Sequence, residues 1–152
     1  MANYYPSAHT NHFAVRDESA FRAFAAQFPD VEIVSSTVGD RRTLLPSHGL
    51  APELPENLPL FGLLFSQDVG IPTEVLNPDT DTWEDLDFPD ALSTHVAPGW
   101  VAELREVGAE KLRYLVGYSI AVNSDGRRVD INLDNLSAKV SALGAYYTHP
   151  TY

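Results

Sequence analysis

The chain has 152 residues, of which 44% are hydrophobic and 11% aromatic, enough apolar matter for the core of one ordinary domain. It carries 21 acidic against 10 basic residues, a formal charge of −11, which argues against direct binding to nucleic acid or to an anionic membrane, since both demand cationic patches. It has no cysteine, which excludes a disulfide framework, a thiolate metal site and a Cys nucleophile.

Met1 to Asn11 is polar and aromatic without a period and reads as an extended lead-in. It lacks the basic start and apolar run of a targeting signal, and no apolar run approaches the ~20 residues of a membrane span, so a cytoplasmic setting is expected. His12-Phe13-Ala14-Val15 reads as a short strand. Asp17 is placed to cap a helix, because its carboxylate can accept from amides that lack intrahelical partners. Phe21, Phe24, Ala25 and Phe28 then fall at i, i+3, i+4 and i+7, one helical face, and Pro29 ends it. Val31 to Val34 reads as the next strand, completing a strand–helix–strand unit. Gly39-Asp40-Arg41-Arg42 reads as a turn with a solvated Arg pair.

From Thr43 to Leu104 there is no Lys or Arg, while the same window holds 11 carboxylates. The flanks are therefore neutral, and the whole net charge belongs to this middle segment. It also holds 8 of the chain's 11 prolines, a density that forbids long helices. Within it Leu60-Phe61-Gly62-Leu63-Leu64-Phe65 reads as a buried strand. Ser66 to Gly99 reads as mostly irregular, with a short helix around Asp90 to His95 and with Trp83, Leu86 and Phe88 pinning it to the core. A loop of that length inside a compact domain often carries function.

Trp100 to Val107 reads as a strand reaching a Gly108-Ala109 turn. Leu112, Tyr114, Val116, Tyr118, Ile120 and Val122 alternate and so share one sheet face. The opposite face, with Leu115, Gly117, Ser119 and Ala121, is small or mildly apolar, as expected where something packs on it too. Asn123-Ser124-Asp125-Gly126 has hairpin-turn chemistry, and Val129, Ile131 and Leu133 alternate on the return strand. Asp134 or Asn135 caps a last helix with Leu136, Val140 and Leu143 at i, i+4 and i+7 and Gly144 beyond its end. The expected architecture is one α+β domain over residues 1–152. It is a mostly antiparallel sheet of about five strands covered by two amphipathic helices, with the long Pro-rich acidic insertion at 43–104.

In the run Asp79-Thr80-Asp81-Thr82-Trp83-Glu84-Asp85-Leu86-Asp87 acids recur at nearly every second residue. A calcium loop starting at Asp79 fails at its fifth position, Trp83, and at its sixth, Glu84, where the sharp turn needs Gly. The bland reading is a solvated loop that keeps the chain soluble. The sharper reading is a surface that imitates the phosphates of DNA or docks in a cationic groove. Extended chain with acids at alternate residues carries one charge per ~6.6 Å on one face, against one per ~3.4 Å along one DNA strand. Trp83 and Phe88 among the acids would be the aromatic anchors that interfaces favour. The five histidines show no metal-ligand spacing, there is no Gly-rich phosphate loop, and carboxylate pairs are too common here to single out an acid–base site. Lys111, Arg113, Arg127 and Arg128 are expected to pair across strands with Glu103, Glu106 and Asp130.

The run Thr10 to Phe21 and the run Glu106 to Tyr118 resemble small acidic proteins carried on plasmids, phages and integrative elements. That setting includes anti-CRISPR and antirestriction inhibitors. The resemblance covers the two neutral flanks and carries no catalytic residue. Together with the charge segregation it implies a non-enzymatic inhibitor without cofactor or metal. Its partner would be a host defence protein or complex with a cationic groove, in the cytoplasm of the bacterial host. Asp79, Asp81, Trp83, Glu84, Asp85, Asp87 and Asp90 would make the contacts. Two alternatives stand beside it: an immunity protein or antitoxin that neutralises a basic toxin, and a small enzyme whose site lies within the sheet near Tyr114, Tyr118 and His95.

Overall fold

The computed structural model describes residues 4–41, 53–66, 69–110, 114–133 and 135. Its elements in chain order are β1 (Tyr4–Thr10), α1 (Glu18–Ala25), β2 (Val31–Thr37), α2 (Val38–Arg41), β3 (Pro59–Phe65), β4 (Glu74–Asn77), β5 (Thr82–Asp85), α3 (Phe88–Ser93), β6 (Val101–Glu110), β7 (Tyr114–Asn123) and β8 (Arg128–Asn132). Six strands form one sheet in the order β2-β3-β1-β6-β7-β8, and every pairing in it is antiparallel. The chain is thus α+β with a mostly antiparallel sheet.

The larger core cluster lies on one side of that sheet, and a smaller one, Ala14, Val38 and Leu60, packs separately. All seven phenylalanines of the chain, Phe13, Phe21, Phe24, Phe28, Phe61, Phe65 and Phe88, are buried in a single cluster there. Two of them, Phe21 and Phe24, come from the inward face of α1, whose Asp17 cap accepts from the Ala20 amide at 2.8 Å, and Phe28 follows just beyond its end. Phe88 opens α3 and meets Phe24, Phe28 and Phe65 at ring distances of 5.3, 5.1 and 5.5 Å. Each buried ring contributes about 1.5–3 kcal/mol by leaving water, so this cluster dominates the stability of the fold. Strands β6 and β7 add Ala102, Leu104, Ile120 and Val122 beneath it.

Several expectations shift. The lead-in contains the strand β1, which lies between β3 and β6, while residues 12–15 contribute only the isolated bridges Phe13–Phe61 and Val15–Val96. The inward residues of β1 are Pro6, Ala8 and Thr10, too small to give an apolar alternation. Strands β1 and β2 are not neighbours, because β3 inserts between them and pairs with both. Gly108 and Ala109 do not turn: β6 runs through them to Glu110, held by β1 on one side and β7 on the other. Gly39 to Arg41 belong to the helical turn α2, where Asp40 accepts from the Thr37 amide and hydroxyl. The stretch expected to be irregular holds the two-stranded sheet β4–β5 and α3, which starts at Phe88 under the Asp87 cap. The turn over Asn123 to Gly126 is present, with Gly126 at φ +74°. The expected last helix at 136–143 lies outside the described residues, apart from Asn135, which is helical. Among the described residues no helix is long and apolar enough to cross a membrane.

Candidate interaction surface

The acidic stretch is shaped by one hairpin. Strands β4 and β5 pair in the register Glu74–Asp85, Val75–Glu84, Leu76–Trp83 and Asn77–Thr82. The linking residues Pro78 to Asp81 turn because the Asp81 amide donates to the Asn77 carbonyl at 2.9 Å and the Asp79 amide to the Asn77 side chain at 2.9 Å. Asp81 takes the left-handed conformation at φ 53°, which Asp tolerates better than most residues.

Strand alternation sorts the hairpin into two faces. Val75, Asn77, Thr82 and Glu84 share one, and Val75 packs against the core from it. Glu74, Leu76, Trp83 and Asp85 share the other, which is turned away from the core. Trp83 is 64% exposed and Leu76, its cross-strand partner, 40%. Trp83 therefore does not pin the segment down. Leu86 and Phe88 do, one packed against the core and the other buried within it. The Leu86 amide also donates to the Thr73 carbonyl at 2.8 Å, fastening the base of the hairpin.

The seven residues singled out from the sequence fall into two groups. Asp79, Asp81, Trp83, Glu84 and Asp85 lie on the hairpin and are exposed. Among the described residues none of those four acids forms an ion pair. Glu84 accepts from the Asn77 side-chain amide at 2.7 Å, so one hairpin face has its own internal bond. Asp87 and Asp90 belong to α3 instead. Asp87 caps that helix by accepting from the Asp90 amide at 3.0 Å, and both its oxygens accept from Arg128 at 3.1 and 3.0 Å. Arg128 also donates to Asp130 at 2.7 Å, and these carboxylates raise its pKa, the Asp130 hydrogen bond most of all. One of the six acids is thus neutralised by a flank arginine. Sequence reasoning missed Glu74 and Leu76, which the hairpin register brings beside Trp83 and Asp85. The available signal was the turn chemistry of Asn77-Pro78-Asp79 between two short runs.

Of the cations expected to pair across the strands, Lys111 and Arg113 lie outside the described residues. Glu103 accepts from Arg105 at 2.6 Å and from Ser119 at 2.9 Å, bonds that hold its carboxyl below the usual range despite partial burial. Glu106 is buried and accepts from the Ile71 amide at 2.8 Å, tying the loop before β4 to the sheet.

Two histidine clusters bear on catalysis. His95 stacks on Phe24 at 4.7 Å and meets Phe21 edge-on, and burial lowers its pKa. It acts as part of the aromatic core, and the Tyr114 side chain lies outside the description. His12 Nδ1 is 2.7 Å from Ser36 Oγ, and its Nε2 is 2.7 Å from an Arg41 guanidinium nitrogen. Arginine can only donate. Nε2 must therefore accept, Nδ1 carries the proton, and it is the imidazole that donates to Ser36. Burial, and then Arg41, lower the His12 pKa and keep the ring neutral. Ser36 Oγ also accepts from Arg41 Nε at 3.1 Å. A histidine acting as base would have to accept the serine proton, the reverse of this arrangement. Among the described residues there is no cluster of three or more potential metal ligands.

No family model matches the chain, no curated protein matches it, and no solved structure matches it.

Proposed function

We propose that the chain is a non-enzymatic inhibitor from a phage or mobile element that binds a host nucleic-acid-handling defence complex, of anti-CRISPR or antirestriction type, through the acidic hairpin β4–β5. The reading rests on one observation: the hairpin presents an exposed indole among carboxylates that have no cationic partner within the described chain. An apolar pair flanked by Glu74 and Asp85 suits a cationic groove with an apolar step in its floor. The indole supplies the desolvated anchor, and the acids supply steering and register. The carboxylates of Asp79 and Asp81 at the tip would take the place of phosphates. The unpaired charge costs stability in the free chain, and a cationic partner would recover it.

The test has two arms. Expressed in hosts carrying different defence systems, the chain should restore phage plating on at least one strain. A variant with Asp79→Asn, Asp81→Asn, Glu84→Gln and Asp85→Asn should lose that effect while staying folded. Equal protection by wild type and variant would remove the acidic hairpin from the contact. Capture of a secreted or plasmid-borne basic toxin on the immobilised chain, with no defence component, would favour the immunity-protein reading instead.

A further inference from the structure

The hairpin β4–β5 is a two-stranded sheet of its own, and among the described residues no third strand pairs with either of its edges. The register fixes which backbone groups face outward. The Leu86 amide donates to the Thr73 carbonyl at 2.8 Å, so these two residues are a hydrogen-bonded pair at the base of the ladder. Such pairs recur at every second position of an antiparallel ladder, which puts the next ones at Val75–Glu84 and Asn77–Thr82. Trp83 and Asp85 fall between them. Their amides and carbonyls therefore point away from β4, along the outer edge of β5. Among the described residues no backbone group outside the hairpin bonds them. All four residues of β5 are exposed. The strand has neither the lysine nor the proline that often close an edge, and its charges are all of one sign.

We propose that this edge takes a third strand, an extended segment of the partner bearing lysine or arginine, paired along β5 at about 4.8 Å. The proposal rests on the hairpin being the contact surface and says how a chain is held there. Two strands alone are marginal, and a third gives the hairpin the smallest sheet that is stable by itself. Charge decides the occupant. A second copy of this chain paired antiparallel about Trp83 would set Asp85 opposite the copy's Asp81, and one paired about Glu84 would set that acid opposite itself. Like charges directly opposite are destabilising. A basic segment instead meets Asp85 on one face of the strand and Glu84 on the other with opposite charge, and a cation beside Trp83 can reach the indole face. The backbone bonds set the path of the segment, and the acids select its charge.

The test separates strand pairing from charge. The probe is the peptide Lys-Val-Lys-Val-Lys-Val-Lys, titrated at low salt against the full chain and two variants, Asp85→Asn and Asp85→Pro. Both variants lose the same charge, and only the proline lacks the outward amide. The ladder to β4 is kept in both, because the removed N–H lies on the solvent side of an edge strand. Asp85→Pro should bind the peptide about fivefold or more weakly than Asp85→Asn. Equal affinity of the two overturns the third strand and leaves the charged surface standing, since that reading is tested separately by phage plating with the fourfold neutralised chain. In an independent measurement on the wild-type chain, saturating peptide should slow hydrogen exchange of the Trp83 and Asp85 amides about tenfold or more. Unchanged exchange at both, or no binding of the peptide at all, also overturns it. Dimers of the chain that pair through β5 without peptide would overturn it in favour of a second copy.

Discussion

Two aromatics of the acidic segment, Trp83 and Phe88, sit five residues apart and should respond oppositely to truncation. Trp83 keeps 64% of its surface in water, whereas Phe88 keeps 1%. A large aromatic can bury at most about 250 Å², so Trp83 hides about 90 Å²; at ~25 cal/mol per Å² that is about 2 kcal/mol. Residual compactness of the unfolded chain lowers this ceiling by roughly 10–40%. Trp83→Ala should therefore cost about 1–2 kcal/mol. Phe88→Ala opens a cavity among Phe24, Phe28 and Phe65 and should cost about 3–5 kcal/mol. Urea unfolding followed by circular dichroism separates the two. Partner binding should invert the order among folded variants, with Trp83→Ala losing about 2 kcal/mol or more as an interface anchor. If Trp83→Ala destabilises the fold as much as Phe88→Ala, the indole is a core residue and the reasoning fails.

Other consequences follow from particular groups. Asp81→Gly relieves a left-handed backbone and should stabilise the hairpin by a few tenths to about 1 kcal/mol while removing one tip charge, so thermal melting and binding should move in opposite directions. At Gly70, with φ +70°, an added Cβ would lie 2.7 Å from a Glu106 carboxylate oxygen. Gly70→Ala should cost at least about 1–2 kcal/mol in chemical denaturation, more than Gly99→Ala, where the φ is similar and the space is open. His12 and His95 both have pKa values lowered by burial. The unfolded chain then binds protons first as pH falls, so stability is full above about 6.5, the unfolded value, and declines below it until the folded values are reached. His12→Gln should flatten that decline in a series of urea midpoints from pH 7.5 to 5. Arg128→Ala frees Asp87 and Asp130 but breaks only partly exposed ion pairs, so it should cost about 0.2–1 kcal/mol in urea unfolding and, by leaving two more acids unpaired, speed association at low salt.

The elements legible in the sequence were those whose periodicity and end signals agreed. The helix over Phe21, Phe24 and Ala25 has a capping Asp17 before it, and the β7–β8 turn has Asn123 and Gly126 in the expected places. Strand β1 was illegible because its inward residues are small or polar, and because Pro6 speaks against a central strand. Pro6 is tolerated since β3 pairs β1 only at Ala8 and His9, leaving that edge of Pro6 without a ladder partner. Gly108 and Ala109 suggested a turn, but partners on both sides of β6 override a local preference for bending. The hairpin was hidden by its brevity: four residues per strand give no periodicity to count. The acids were legible as charge, yet their distribution was not. Only the register shows that Glu84 faces away from Trp83 and Asp85, and only the packing of α3 against the sheet edge brings Arg128 to Asp87.

The most direct test of the charged-surface account is recovery of host proteins on the immobilised chain across a salt series, for wild type and for the fourfold neutralised hairpin. Recovery on wild type should fall steeply from 50 to 500 mM NaCl, and the variant should retain little at any salt. The same partner retained by both proteins, with the same salt dependence, would contradict it.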